Sequence, residues 1–435
     1  MRVLFVTAVL PSHYFVMAPF AWALRAAGHE VCVAAQPELV ETVARSGLPV
    51  VPVGGETDFA ARYRDQTATR PADAAASHRD RAAVRPVDAA ASHGDRAAAR
   101  PADAATRPAD VATRPGDPKA LFCTVADGMA DDLVDFARAW RPDAVVWEPT
   151  TLAGPLAAAA CGAVSLRYLW GPDIVGRGIG RHNLPPQFAE LFARFGIDLD
   201  TLPEWWNIDA CPDDLQVDGT TRRVPVRYVP YSNSQHVPGW FLRRDARPRV
   251  CVTLGITMTE VAGGRSFFAP RVLDALAAPD VDLVTAVVPA QRPLLDRVPE
   301  GVRVVEDGAL HMLLPSCDLV IHHGGVGSML TAALYGLPQL TITQMPDQSF
   351  YSAHLSRTGA SVHLTGDQAD PETLRAVVRR LLHDPSYRRA ADGIRRAMLS
   401  RPTPQQIVPT VERLVAAARD TAPTRTSPLP QGAAR

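Results

Sequence analysis

Two histidines, three glycines and a serine stand together in the stretch HHGGVGS, residues 322–328. Residues 318–321, DLVI, predict a buried strand before it, and residues 328–335 predict a helix after it. Glycines at such a turn allow backbone conformations that side chains would block, and the helix presents unpaired N–H groups and a positive dipole end. This pattern is typical of a loop that binds phosphate.

Two other interpretations of this stretch stay open. A metal site would need further ligands, and adjacent histidines on a strand point to opposite faces, so both could not easily bind one ion. A tight turn around one core histidine is the plainer alternative, because glycine-rich loops are weak signals on their own. We expect no metal, with His323 facing a cleft and His322 packed or orienting its neighbour.

Two further loops follow predicted strands of the same half. TLGIT, residues 253–257, would bring the hydroxyl of Thr257 to the same cleft. In TQMPDQSFYSAH, residues 343–354, Asp347 and Gln348 stand side by side, and a carboxylate next to an amide suits the vicinal hydroxyls of a sugar. The alternative for Asp347 is a helix N-cap.

His13 follows the first predicted strand, in LPSHYF, where the G-x-G-x-x-G of a dinucleotide site is missing. A neutral imidazole at the end of a strand can accept a hydroxyl proton as a general base, although a loop histidine bonded to backbone would look the same. Glu148 and Asp127 are the candidate carboxylates to orient it. Glu148 is favoured because it ends the predicted strand DAVVWE, and strand ends line the cleft.

The elements that must position these residues alternate between strand and helix. Strands at residues 3–9 and 30–36 enclose a helix at 17–27 that stops at Gly28, and the alternation resumes after residue 249. This predicts an α/β protein with two domains of parallel sheet that face each other across a cleft. The length of 435 residues also exceeds what one core usually supports, roughly 250 to 300 residues.

We place the N-terminal domain at residues 1–237, a linker at 238–248 and the C-terminal domain at 249–400. A helix at 401–420 and a disordered tail at 421–435 follow. Residues 61–118 form an insertion in the first domain, with a 15-residue unit, RPADAAASHRDRAAV, that recurs once almost unchanged. Each unit carries only alanines and a valine as apolar side chains, too little to bury a core, so we expect a disordered low-complexity segment.

Composition excludes several partners. A formal net charge of −1 and the lack of a basic stripe argue against nucleic acid. No apolar run reaches the roughly 18 to 20 residues of a membrane span. Six scattered cysteines without a C-x-x-C pair favour a reduced, cytoplasmic protein.

Residues 249–400 resemble the donor half of family-1 glycosyltransferases of the GT-B fold. The stretches that carry the resemblance are LLPSCDLVIHHGG, HHGGVGS, TAALYGLPQL and the DQ pair. They resemble the actinobacterial enzymes that attach TDP-deoxysugars to polyketide antibiotics. LRYLWGPDI and VRYVPYSNSQHVPGWF narrow the resemblance to the macrolide and anthracycline branch. The resemblance covers nearly the whole chain except the insertion, and it implies a GT-B fold with two Rossmann-like domains and a C-terminal helix that crosses back.

The resemblance also implies a role for each site residue. In the donor loop, Gly324 and Gly327 shape the turn. One phosphate of the diphosphate is contacted by His323, the amides of Gly325 and Val326 and the hydroxyl of Ser328. Thr257 reaches the other phosphate. Where plant UDP-sugar enzymes carry a glutamate for the ribose, this chain has Thr331, which suits the deoxyribose of TDP. An aromatic-x-Pro segment expected under the base is replaced by residues 307–309, DGA, so base stacking departs from its usual form.

The same resemblance implies that the enzyme transfers a deoxysugar, of the amino-deoxysugar kind, from TDP to a hydroxyl of a hydrophobic aglycone. The transfer would be inverting and metal-independent, and His13 would be its general base. A cytochrome-P450-like helper protein and a homodimer are further expected partners. Two alternatives stay open: a sugar-nucleotide 2-epimerase of the same fold, and a non-catalytic scaffold subunit related to glycosyltransferases.

Overall fold

The computed structural model describes residues 1–8, 10–57, 59, 61–62, 118–178, 184–233, 237–243, 246–255, 259 and 267–421. Thr257, nearly all of the predicted insertion and the tail beyond residue 421 lie outside these ranges.

The N-terminal half is built on a parallel sheet with seven described strands in the spatial order 3-2-1-4-5-6-7. These strands are β1 Arg2–Thr7, β2 Glu30–Ala35, β3 Val50–Pro52, β4 Ala144–Trp147, β5 Val164–Leu169, β6 Trp206–Asp209 and β7 Arg223–Pro225. The central strands are apolar on both faces because helices cover both sides of the sheet. Those helices are α1 Pro11–Ala26, α2 Val40–Arg45, α3 Pro118–Trp140, α4 Ala153–Cys161, α5 Ile174–Gly178 and α6 Pro186–Arg194, with 3₁₀ turns at Pro37–Leu39 and Leu199–Thr201.

The first helix begins earlier than the sequence predicts. Helix α1 starts at Pro11 rather than near residue 17, and it ends at Ala26, just before Gly28 with its φ of 87°. Pro11 does not interrupt the helix because it occupies the first turn, where a backbone N–H would have no partner. His13 therefore lies in the first turn of α1, close to the carboxyl end of β1.

The C-terminal half is built on a second parallel sheet, with six described strands in the order 10-9-8-11-12-13. After a 3₁₀ turn at Gly239–Leu242, its strands are β8 Arg249–Thr253, β9 Asp282–Val287, β10 Arg303–Glu306, β11 Leu319–His322, β12 Gln339–Thr343 and β13 Ser361–Thr365. Its helices are α7 Ala269–Leu276, α8 Leu310–Leu313, α9 Val326–Leu334, α10 Pro346–Arg357, α11 Pro371–His383 and α12 Pro385–Ser400, with 3₁₀ turns at Pro289–Leu295 and Leu314–Ser316. These two α/β units are the predicted Rossmann-like domains.

The two halves share one apolar cluster. Met329 of α9 and Tyr351 of α10 belong to the same buried cluster as Tyr14 of α1 and Tyr168 of β5. The final helix, α13 Pro404–Thr421, leaves the second half and packs against α1 through Ile407 and its buried neighbours. The carboxyl ends of both sheets thus face one cleft, and the predicted crossing of the C-terminal helix is confirmed.

Within the described ranges, no helix combines the length and the apolar character that crossing a membrane requires.

Candidate active site

A histidine and a buried carboxylate are paired on the N-terminal side of the cleft. Nδ1 of His13 lies 3.0 Å from Oε2 of Glu148, which follows directly after β4. The His13 side chain is 15% exposed, whereas that of Glu148 is fully buried. The imidazole can therefore meet a substrate in the cleft, while the carboxylate can only act through the imidazole.

The neighbours of Glu148 determine which nitrogen of His13 carries a proton. Oε2 also accepts hydrogen bonds from the backbone N–H of Thr150 at 3.0 Å and from the indole Nε1–H of Trp170 at 3.1 Å. Oε1 accepts the hydroxyls of Thr150 and Thr151. Because an ionised carboxylate only accepts, Nδ1 of His13 must donate, and the lone pair of Nε2 is left to take a proton.

The same neighbours keep Glu148 ionised. Burial, the largest influence, would raise its pKa, but the charge of His13 and the hydrogen bonds from His13, Thr150 and Thr151 together lower the pKa to about 2. A buried carboxylate held as an anion stabilises the imidazolium that forms when His13 accepts a proton.

The structure shows which of the two candidate carboxylates, Asp127 or Glu148, lies beside His13. Asp127 lies on α3 and pairs with Arg194 at 2.9 Å on the exposed surface. Glu148 alone of the two contacts His13.

Across the cleft, the glycine stretch is a strand-to-helix turn. Gly324 has a φ of 88°, and Gly325 is the N-cap of α9, which begins at Val326. A Cβ at Gly325 would lie 2.3 Å from Nε2 of His323, so this turn closes only without a side chain. Gly327 and half-buried Ser328 lie in the first turn of α9. This is the geometry of a helix N-terminus open to an anion.

The two histidines of the turn have different surroundings. Nδ1 of His322 accepts the N–H of Gly324 at 3.1 Å, so its Nε2–H donates to Oε1 of Gln339 at 2.9 Å. The ring of His323 packs between Gly255 and Gly325, and its buried Nδ1 has no partner in the described part of the chain. An unpaired buried nitrogen at this turn is the position where a ligand atom would supply the missing hydrogen bond.

Both histidines are neutral in the unliganded protein. Burial lowers the pKa of His322 to about 4 despite its hydrogen bond to Gln339. Burial, with a contribution from His322, lowers the pKa of His323 to about 3. His323 can therefore offer a hydrogen bond at neutral pH but not a positive charge.

Asp347 and Gln348 lie at the start of α10. The N-cap of this helix is Met345, so Asp347 is not the cap that one interpretation of the sequence suggested. Gln348 is buried, and its Oε1 accepts the N–H of Gln344 at 3.2 Å. Asp347 keeps an exposed surface, but desolvation by the surrounding protein raises the pKa of its carboxyl group. Two backbone N–H groups and the charge of His13 oppose that rise.

Thr331 differs from its expected place beside a ribose. Its hydroxyl donates to the carbonyl of Gly327 at 2.7 Å and lies 3.1 Å from the hydroxyl of Tyr228, and the residue is buried. The hydroxyl proton of Thr331 is thus already bound, and the burial of the residue limits its access to a nucleotide. Its nucleotide contact stays a prediction.

Sequence reasoning missed Trp170, Thr150, Thr151 and Tyr228. A signal was present for the threonines, since the run EPTT puts two hydroxyls directly after a strand-end glutamate. Nothing in the sequence connects Tyr228 with Thr331, because that contact joins the two halves of the fold.

Two Rossmann-like sheets that face one cleft form the GT-B fold, and proteins similar to this chain identify it as a glycosyltransferase of that fold. The structure of a spinosyn rhamnosyltransferase, SpnG, complexed with thymidine diphosphate shares this fold, with a TM-score of 0.73 and 26% sequence identity over 95% of this chain and 100% of that one.

The family follows from the sequence matches. Residues 22–255 match the N-terminal domain and residues 270–414 the C-terminal domain of the family described as erythromycin biosynthesis protein CIII-like. The chain therefore belongs to that family. It is 37% identical to the 10-deoxymethynolide desosaminyltransferase of Streptomyces venezuelae, covering 96% of this chain and 97% of that protein. It is 36% identical to the tylactone mycaminosyltransferase of Streptomyces fradiae, covering 97% and 94%.

Proposed function

We propose that the protein transfers a deoxysugar, of the amino-deoxysugar kind, from TDP to a hydroxyl of a polyketide-type aglycone, with inversion at the anomeric carbon. The observation that carries the proposal is the His13–Glu148 pair, in which Glu148 binds Nδ1 and Nε2 is left as the nitrogen that can accept a proton. The names of the desosaminyl and mycaminosyl relatives support the sugar class and the macrolactone class of acceptor.

The reaction is a single displacement. The acceptor oxygen forms a bond to the anomeric carbon while the bond from that carbon to the β-phosphate oxygen breaks, and TDP leaves with the bonding electrons. The acceptor proton passes to Nε2 of His13, and Glu148 stabilises the resulting imidazolium. Asp347 and Gln348 hold the sugar hydroxyls. Attack from the face opposite the leaving group inverts the anomeric centre.

The charge of the departing diphosphate is met by the N-terminus of α9. The amides of Gly325 and Val326, the hydroxyl of Ser328 and the unpaired Nδ1 of His323 are the groups available there. A helix N-terminus carries roughly half a positive charge, so we propose that no divalent cation is required. Thymidine diphosphate bound to the related SpnG supports the nucleotide, and Thr331 in place of a glutamate agrees with it.

Calorimetry with TDP and UDP tests the donor side. The wild type should bind TDP more tightly than UDP, and His323→Ala should weaken TDP binding by about tenfold, the effect of one hydrogen bond to a charged group. EDTA should change neither binding nor transfer. If neither nucleotide binds the wild type at millimolar concentration, the donor-site argument fails, and a strict requirement for Mg²⁺ would refute the metal-independent mechanism.

We also propose that a P450-like helper protein binds the N-terminal half and that the protein forms a homodimer. Co-purification and light scattering would test these partners. All six cysteines are free thiols, which supports a reducing, cytoplasmic location.

A further inference from the structure

Trp170 contacts both members of the His13–Glu148 pair. It follows directly after β5, and its indole Nε1–H donates to Oε2 of Glu148 at 3.1 Å. Its ring stacks on the imidazole of His13, with ring centroids 4.8 Å apart and ring planes 21° apart. One side chain therefore fixes the plane of the imidazole and one oxygen of the carboxylate.

The other side of Trp170 faces the donor half. Its ring and that of Tyr351 pack in a T-shaped arrangement, with ring centroids 6.2 Å apart. Tyr351 lies on α10, one turn after Asp347. The next residue, Gly171, is so close to α9 that a Cβ there would lie 2.5 Å from Cγ1 of Val326. Trp170 is thus wedged between the histidine–carboxylate pair and the two helices that present the donor-side residues.

A buried polar network fixes the loop of Trp170 from behind. Arg167 pairs with Asp173, and Nε of Arg167 donates to Oδ1 of Asn207 at 2.8 Å. The backbone N–H of Asp173 donates to Oε1 of Gln216 at 2.7 Å. These contacts join the two ends of the loop to neighbouring elements, so the indole is held by its surroundings as well as by its own packing.

We propose that Trp170 is a positioning residue that holds His13 in line with the anomeric carbon of the donor and keeps Glu148 as a pure acceptor. The proposal rests on the proposed function. Its physical basis is that proton transfer and in-line attack demand near-attack geometry, and a displacement of about 1 Å can cost about 100-fold in rate. Trp170 touches no reacting atom, so it acts through the pair.

The first test is Trp170→Phe, which keeps an aromatic ring beside His13 and removes the N–H. Trp22→Phe is the matched control, because the indole of Trp22 on α1 donates to the carbonyl of Ser46 at the same 3.1 Å. We expect kcat of Trp170→Phe to fall about 10- to 100-fold, with the donor KM changed by less than about threefold. The control should keep the wild-type kcat.

The pH profile separates positioning from general damage. Among the residues that the structure describes, Glu148 contacts His13 directly, and Asp347 of the other half is influenced by the charge of His13. Without the indole N–H, the Glu148 carboxylate holds the imidazolium more strongly, so the acid limb of kcat/KM should move to higher pH. In a Glu148→Gln background, Trp170→Phe should cost much less than it does alone, since both changes then act on the same contact.

Histidine-selective NMR tests the inference without an activity assay. In Trp170→Phe, the ring signals of His13 should move and titrate at higher pH, whereas Trp22→Phe should leave them in place. If the wild type transfers no sugar, the proposed function fails while these spectra still decide the positioning role. Should Trp170→Phe not fold, as judged by circular dichroism and urea unfolding, Trp170→Tyr takes its place. A folded variant with wild-type kcat, pH profile and His13 signals would overturn the inference.

Discussion

Glu148→Gln removes one charge from the centre of the candidate active site and changes almost no volume. The glutamine oxygen can still accept from His13, Thr150 and Trp170, so the tautomer of the imidazole can be kept. What disappears is the negative charge that stabilises an imidazolium. The substitution therefore isolates the electrostatic contribution of the carboxylate from its shape.

The structure gives the size of that contribution. The pKa of Glu148 is about 2 instead of 4.5, a difference worth about 3 kcal/mol at 1.36 kcal/mol per pH unit. If the whole of it acts in the transition state, kcat of Glu148→Gln falls about 300-fold. A smaller loss would mean that part of this free energy already acts in the ground state.

Stability should follow the same charge. A carboxylate with a lowered pKa stabilises the folded protein fully above its ordinary pKa, and the contribution is lost as pH falls from about 4.5 to about 2. The difference in free energy of unfolding between wild type and Glu148→Gln should therefore be largest near neutral pH and shrink toward about pH 3.

The measurements are kcat from product formation and urea unfolding at several pH values. Asp127→Asn is the control, since it makes the same chemical change in an exposed ion pair with Arg194, worth at most about 1 kcal/mol. Wild-type kcat in Glu148→Gln, or a stability difference that does not depend on pH, would refute the reasoning.

Two further predictions concern the donor side. Gly325→Ala should displace the ring of His323, because the new Cβ would lie 2.3 Å from Nε2 of that ring. Calorimetry should show TDP binding weakened by at least about tenfold. Gly393→Ala is the control and should bind TDP normally, because the nearest atom to its new Cβ lies 4.0 Å away. Unchanged TDP binding in Gly325→Ala would contradict the tight turn. Thr331→Glu should lower the free energy of unfolding by about 2 to 4 kcal/mol in urea titrations, because the new carboxylate would be buried against the hydroxyl of Tyr228. We do not expect it simply to change the nucleotide preference from TDP to UDP. A stable Thr331→Glu variant that prefers UDP would instead show that the Tyr228 contact opens at little cost.

Much of the architecture follows from periodicity. Short apolar runs such as residues 319–321 are typical of strands covered on both faces, and their alternation with helices predicts two parallel sheets. The start of α1 was missed because Pro11 and His13 resemble the end of an apolar segment, whereas proline in a first helical turn is favourable. Local sequence does not distinguish these two uses of proline; the packing of the following residues does.

The parts of the site that lie in one continuous stretch of chain were predictable from the sequence. The glycine turn could be recognised because strand, loop and helix follow each other in one stretch of chain. Contacts between distant segments were not predictable in this way: the stacking of Trp170 on His13 joins the ends of two strands, and the contact of Tyr228 with Thr331 joins two domains. Each depends on the angle between packed units, which no residue pattern encodes alone.

The packing of α13 on α1 also determines when the first domain is complete during synthesis. Ile407, Val408, Val411 and Val415 cover an apolar surface that includes Tyr14, and they belong to the last helix described. At roughly 5 to 20 residues per second, a ribosome makes α13 some tens of seconds after α1. Over that interval the nascent first domain presents a bare apolar face, which chaperones can bind and which a prematurely terminated chain would never cover.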